Sequence, residues 1–100
     1  MEHELKTLPA YYEPVSRGEK TFEVRRDDRG FQKGDTLVLR EFLRFPPGLT
    51  QYERERNQYT GCSVRCKVLW VLTGGQFGIE PGYVVMAIEA DRLSTQEGRL

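Results

Sequence analysis

Gly18-Glu-Lys-Thr-Phe-Glu-Val-Arg25 is the stretch whose reading decides the fold. Upstream of it, Pro9 opens a segment, Ala10-Tyr-Tyr-Glu-Pro-Val-Ser-Arg17, that Gly18 closes. A proline at the first helical position and a glycine after the last turn are the usual punctuation of a short helix. Pro14 lies inside this segment and removes one helical donor, so the helix is short or kinked. Tyr11, Tyr12 and Val15 are spaced to give it an apolar side. Gly18 then supplies a positive φ at the helix end. From Thr21 the residues alternate in the manner of a strand, over Thr21–Arg26. Parity puts Phe22 and Val24 on one face and Thr21, Glu23 and Arg25 on the other. The expectation is that the apolar pair enters the core while Lys20, Glu23 and Arg25 gather at its mouth.

Working outward, His3–Thr7 is an alternating first strand. Asp27-Asp-Arg-Gly30 and Lys33-Gly-Asp35 are turns, and Thr36–Leu43 is a β-prone run expected to be buried. Residues 44–58 form a long polar excursion containing Pro46-Pro-Gly48 and Arg54-Glu-Arg56. Cys62–Leu72 is the longest strand, with Val64, Val68, Trp70 and Leu72 expected on one face and Trp70 in the core. Tyr83–Glu89 is the last strand, after turns at Gly74-Gly-Gln-Phe-Gly78 and Pro81-Gly82. The expected fold is mixed α+β but mainly β: a small barrel of five or six strands with one or two short helices. It occupies residues 1–90, and residues 91–100 form a polar tail.

The chain has 100 residues, enough for one core. Fifteen basic and fifteen acidic residues cancel, which argues against wholesale coating of a polyanion. The basic residues are uneven: six against four acids over 35–67, two against four over 68–100. A local basic pocket is compatible with that balance. No apolar run approaches the ~20 residues of a membrane span, and the first residues have no signal-peptide core, so a cytoplasmic chain is expected. Cys62 and Cys66 lie four residues apart in one strand, about 13 Å between Cα atoms. A disulfide tolerates about 7 Å at most. With His3 the only histidine, a metal set lacks ligands; reduced structural thiols and no cofactor are expected.

Glu23 and Arg25 lie two apart on one strand face, with Lys20 at the strand entry. Two cations and an acceptor can hold a phosphate or carboxylate while Glu23 accepts from a base edge. The competing reading is a solvated set of ion pairs. Gly18-x-Lys20-x-x-Glu23-x-Arg25 resembles the signature of ASCH domains, of the PUA-like superfamily. His3-x-Leu5-Lys6, Asp28-Arg29-x-Phe31-x-x-Gly34-Asp35 and Tyr59-Thr-Gly61 extend the resemblance to a branch of unknown function, over residues 3–89. It implies a PUA-like barrel and contact with RNA or a nucleotide-sized ligand through His3, Lys6, Lys20, Glu23, Arg25, Asp28, Arg29 and Tyr59. No DNA-specific signal is present. Asp28 has a simpler reading as the cap of its turn, and His3 as an exposed N-terminal residue.

A hydrolase is the competing class. Lys20 matches the catalytic lysine of the ASCH amidohydrolases that deacetylate acetylcytidine; ASCH-type ribonucleases are a further relative. Glu23, however, stands where the amidohydrolases carry a threonine nucleophile, and no later helix supplies their glutamate. Lys20 and Glu23 then support at most a hydrolysis with water as nucleophile. A protein-interaction regulatory module is the third class.

Overall fold

A computed structural model describes residues 1–44 and 58–91. The element order is β1 (Glu2–Thr7), α1 (Pro9–Ser16), β2 (Phe22–Arg26), β3 (Thr36–Phe42), β4 (Tyr59–Thr73) and β5 (Tyr83–Ala90). Each lies within a few residues of its expected position. Of the excursion over 44–58, residues 45–57, with Tyr52 and the Arg54-Glu-Arg56 run, lie outside the described residues, as do residues 92–100 of the tail over 91–100.

The five strands form one sheet in the order β1-β3-β4-β5-β2. Only the β1–β3 pair is parallel; the other three neighbours are antiparallel. The sheet curls into a half-barrel whose two edge strands, β1 and β2, approach each other. No backbone ladder joins them among the described residues; side chains cross the seam instead. The Arg25 guanidinium donates to the Lys6 carbonyl at 3.1 Å and to Thr7 Oγ1 at 3.0 Å, and Arg29 donates to the Glu4 carbonyl at 2.7 Å. Thus β1 neighbours β3 in the ladder and, among the described residues, is tied to β2 and the turn after it by these side-chain hydrogen bonds.

The core fills the concave side. It comprises Leu5 of β1, Leu37 and Leu39 of β3, Val64, Cys66 and Val68 of β4, and Val84, Met86 and Ile88 of β5. Tyr12 and Val15 of α1 and Phe31 from the β2–β3 connection complete it. Tyr11 turns away and is exposed. The helix spans eight residues with Pro14 inside it, and its end is tied by Glu19 and Lys20 N–H donating to the Pro14 carbonyl at 2.8 and 3.1 Å. Gly18, at φ +81°, makes the reversal into β2.

Two expectations about facing are overturned. On β2, Phe22 and Val24 are 47% and 51% exposed, whereas Glu23 is 2% exposed and faces the interior, paired with Met86. Alternation fixes which residues share a face but not which face is inward. Here the inward choice is made by the pairing of Glu23 with Lys20 and Arg25 at the seam. On β4, the register shifts between Val68 and Trp70, so Leu69 is an extra residue. This bulge turns the following side chains over: Val71 packs on the core and Trp70 is 59% exposed. Val64 and Val68 therefore share a face with Val71, not with Trp70 and Leu72.

Candidate functional site at the strand seam

Glu23 anchors the seam. Its Oε1 accepts from Lys20 Nζ at 2.6 Å and its Oε2 from Arg25 Nε at 2.9 Å. The Lys20 and Arg25 side chains are themselves largely covered. A buried carboxylate is tolerable only with such pairing, because desolvation otherwise outweighs everything gained by burial. Arg25 then continues to β1, donating to Lys6 O and Thr7 Oγ1. Three of the five guanidinium donors are engaged, and the remaining two can still meet a ligand. Lys20 Nζ also lies over the rings of Phe22, at 5.0 Å, and Tyr11, at 5.9 Å.

Two clefts flank Arg25 along the seam, and both include Lys6. The first, about 540 Å³, is lined by Glu4, Leu5, Lys6, Arg25, Arg26, Asp28, Arg29, Phe31, Arg40 and Tyr59. Five cations and two carboxylates converge there, in a chain whose total charge is zero. Lys6 and Arg40 are register partners on the parallel strands β1 and β3. Arg40 stacks on Tyr59 at 3.9 Å, and Lys6 lies over Phe42 at 5.2 Å. The two rings meet edge to face at 5.5 Å, so Arg40, Tyr59, Phe42 and Lys6 form a run beside the cleft, two aromatics flanked by two cations. Arg40 is partly neutralised by Glu4 at 3.6 Å and Arg29 by Asp28 at 3.8 Å. Neither Lys6 nor Arg26 has a carboxylate within ion-pair distance among the described residues.

The second cleft, about 500 Å³, is lined by Lys6, Thr7, Leu8, Tyr11, Lys20, Phe22, Glu23, Val24, Arg25 and Arg44. It is the more apolar of the two, since Leu8, Tyr11, Phe22 and Val24 all face it.

Of the residues singled out in the sequence, Lys6, Arg25, Asp28, Arg29 and Tyr59 line the first cleft, and Lys6, Lys20, Glu23 and Arg25 the second. His3 lines neither. It is buried, and its Nε2 lies 2.8 Å from Asp35 Oδ2 with its ring edge-on to Phe31 at 4.8 Å. An ionised carboxylate only accepts, so Nε2 carries the hydrogen of that bond. Asp35 also accepts from the N-terminal ammonium at 3.2 Å and the Gln32 N–H at 3.0 Å. The bond from His3, with these others, lowers its pKa against the opposing effect of burial. His3 and Asp35 thus pin the start of β1 to the start of β3. The turn after β2 is capped by Asp27, whose Oδ1 accepts from Phe31 N–H at 3.0 Å, and not by Asp28.

Sequence reasoning missed Arg26, Arg40, Tyr11, Phe22 and Arg44. For Arg40 a signal existed: a lone arginine in an aliphatic run at the position that parallel pairing sets beside Lys6. For Phe22 there was none, because its exposure depends on which way β2 faces. Cys62 and Cys66 are free thiols on β4, and burial pushes the Cys66 thiol up to about 12. Among the described residues no group of three or more His, Cys, Asp or Glu side chains is placed to hold a metal. No helix among them is long and apolar enough to cross a membrane.

The model of a family described as a domain of unknown function, DUF3850, matches residues 2–88. The chain belongs to that family. The match runs from the start of β1 into β5 and so takes in every element that builds the seam. The chain is also similar to an uncharacterized 12.9 kDa protein in the GpA 3′ region of Escherichia phage P2, 42% identical over 41 residues. That similarity covers 41% of this chain and 38% of the phage protein.

Proposed function

We propose that this domain binds RNA or a nucleotide-sized anionic ligand along the β1–β2 seam, with phosphate in the basic cleft. The observation that carries this reading is the convergence of Lys6, Arg25, Arg26, Arg29 and Arg40 on one cleft of an otherwise neutral chain. Phosphate contacts supply much of the affinity in such complexes, and Lys6 and Arg26 are the cleft cations with no carboxylate within ion-pair distance among the described residues. Tyr59, against Arg40, adds an aromatic surface at the wall. The resemblance to ASCH domains points the same way, and the cleft sizes suit one or two nucleotides rather than a duplex.

The hydrolase reading ranks second. It has in its favour the 2.6 Å contact of Lys20 with Glu23 beside the apolar cleft. Against it, both Glu23 oxygens are already held by cations and its side chain is 3% exposed, which makes it a poor base for a water nucleophile.

Fluorescence anisotropy with a labelled single-stranded RNA, repeated across salt concentrations, tests the binding. Removing one cation that touches a phosphate reduces the slope of log K against log salt by ~0.7 for single strands. Lys6→Ala and Arg26→Ala are each expected to lower that slope by about this amount without unfolding the protein. A slope near zero in the wild type, or one unchanged in both variants, would refute the reading.

A further inference from the structure

The outer, convex face of β4, β5 and β2 lies opposite the core and presents an ordered apolar surface, whose β2 edge (Phe22, Val24 and Arg26) also borders the seam clefts. Along β5 the outward residues are Tyr83, Val85, Ala87 and Glu89, alternating with buried Val84, Met86 and Ile88. Register sets the neighbours in rows: Trp70–Ala87–Phe22, then Leu72–Val85–Val24. Lys67 opposite Glu89 borders the first row, and Arg26 opposite Tyr83 borders the second. The two central rows thus hold six apolar side chains and no charge. Their exposed area is roughly 300–500 Å², the range in which a monomer's largest patch is often functional. The bulge at Leu69 places Trp70 there, so an inward alternative for the tryptophan has been given up.

The geometry points to a second copy of this chain as the occupant of that face, docked sheet to sheet with the strands antiparallel. The two-fold axis lies in the interface, perpendicular to the strands, and exchanges the two apolar rows. Trp70 then meets Leu72 of the other copy, Phe22 meets Val24, and Ala87 meets Val85. Every contact sets a residue of one row against the differently sized residue of the other, as interdigitation requires. The same operation carries Glu89 of one copy to the Tyr83–Arg26 end of the other. Neither Glu89 nor Arg26 has an internal ion-pair partner among the described residues. The alternative two-fold axis, along the strands, would stack Glu89 on Glu89; like-charge contact disfavours it. Zero net charge leaves no long-range repulsion between copies. With the polar rim added, the face approaches but does not exceed the ~800 Å² per partner of a standard interface. A face of that size suits a reversible dimer rather than an obligate one, and the affinity to be tested is weak, on the order of 1–100 μM.

Sedimentation velocity of the full chain from ~1 to ~500 μM tests this directly, over the range set by that affinity. Trp70 is the sole tryptophan, so its emission reports burial of the face itself. The expected result is a concentration-dependent monomer–dimer equilibrium with a matching blue shift. Trp70→Ser and Val85→Asp, with folding verified by circular dichroism, are expected to weaken the dimer at least ~10-fold, as for a central interface residue. Arg26→Glu and Glu89→Arg are each expected to weaken it, and their combination to restore it. A chain monomeric throughout the range overturns the proposal. So does a dimer that survives both apolar substitutions, or a double charge reversal no tighter than either single one.

Discussion

Replacing Arg25 by alanine removes one guanidinium that does three things: it neutralises Glu23 Oε2 at 2.9 Å, satisfies the Lys6 carbonyl at 3.1 Å and satisfies Thr7 Oγ1 at 3.0 Å. Glu23 then keeps Lys20 as its one ion-pair partner among the described residues. Breaking a buried ion pair by removing one side costs about 3–5 kcal/mol, because the remaining charge is stranded. The Arg25 side chain is 22% exposed, so water reaches part of the vacated space and screens the stranded carboxylate. The expected loss is therefore below that range, at about 2–3 kcal/mol. For a domain of this size each kcal/mol moves Tm by roughly 4–8 °C, so the variant melts roughly 10–20 °C lower.

Urea unfolding followed by circular dichroism measures the loss, and a cycle with Glu23→Gln identifies its cause. With no carboxylate to strand, Arg25→Ala is expected to cost at least ~1 kcal/mol less in the Glu23→Gln background than in the wild type. If Arg25→Ala lies within about 0.5 kcal/mol of wild type, in the range of an ordinary surface substitution, the reasoning fails. The seam would then be held by something other than this ion triad. Additivity of the two substitutions would equally refute it.

Asp35 titrates below its ordinary value because of the bond from His3, so the unfolded chain binds that proton more readily than the native one. Its stabilising contribution is complete above the unfolded value of about 3.9 and disappears as pH falls through the native value; Asp35→Asn is expected to flatten the acid limb of the stability profile below about pH 4. The Cys66 thiol, pushed up to about 12 by burial, is expected to resist alkylation in the native protein at pH 8, with Cys62 modified first, as peptide mapping after iodoacetamide treatment reads out. Gly74→Ala would set a Cβ 2.1 Å from the Glu80 carbonyl oxygen and 2.7 Å from that of Tyr83, and is expected to cost about 1–3 kcal/mol in denaturant unfolding.

The order of elements was legible in the sequence because its signals are local. Pro9 and Gly18 bracket the helix, the turns carry their own glycines, and the strands alternate or run apolar. What was not legible depended on non-local choices. The facing of β2 hangs on a salt-bridged glutamate preferring the interior, and alternation is silent on that sign. The exposure of Trp70 depends on one extra residue in β4, and Leu69 has no side-chain chemistry that marks it as a bulge. His3 left the expected site because Asp35, 32 positions away, claims it. Lys20, Glu23 and Arg25 were brought together as their spacing suggested, yet their first role is internal: the cluster holds two sheet edges in place.

That internal role bears on how a ligand would be bound. In a barrel closed by backbone pairing, the seam's polar groups would be consumed by the ladder. Here β1 and β2 are held apart by a side chain the length of arginine, which leaves clefts of about 540 and 500 Å³ on either side of it. The triad supplies rigidity, while in the proposed binding Lys6 and Arg26, with no carboxylate within ion-pair distance among the described residues, would supply attraction. Stability and affinity then rest on different residues. On the proposed reading, substitutions at Lys6 and Arg26 would tune binding at little structural cost, whereas those at Glu23 and Arg25 would change both at once. A ligand that bridges the clefts draws on the two unused Arg25 donors and ties β1 to β2 more firmly, so binding raises Tm by mass action. Such a rise has to vanish with Lys6→Ala and Arg26→Ala together, even though neither substitution lowers the melting temperature of the free protein.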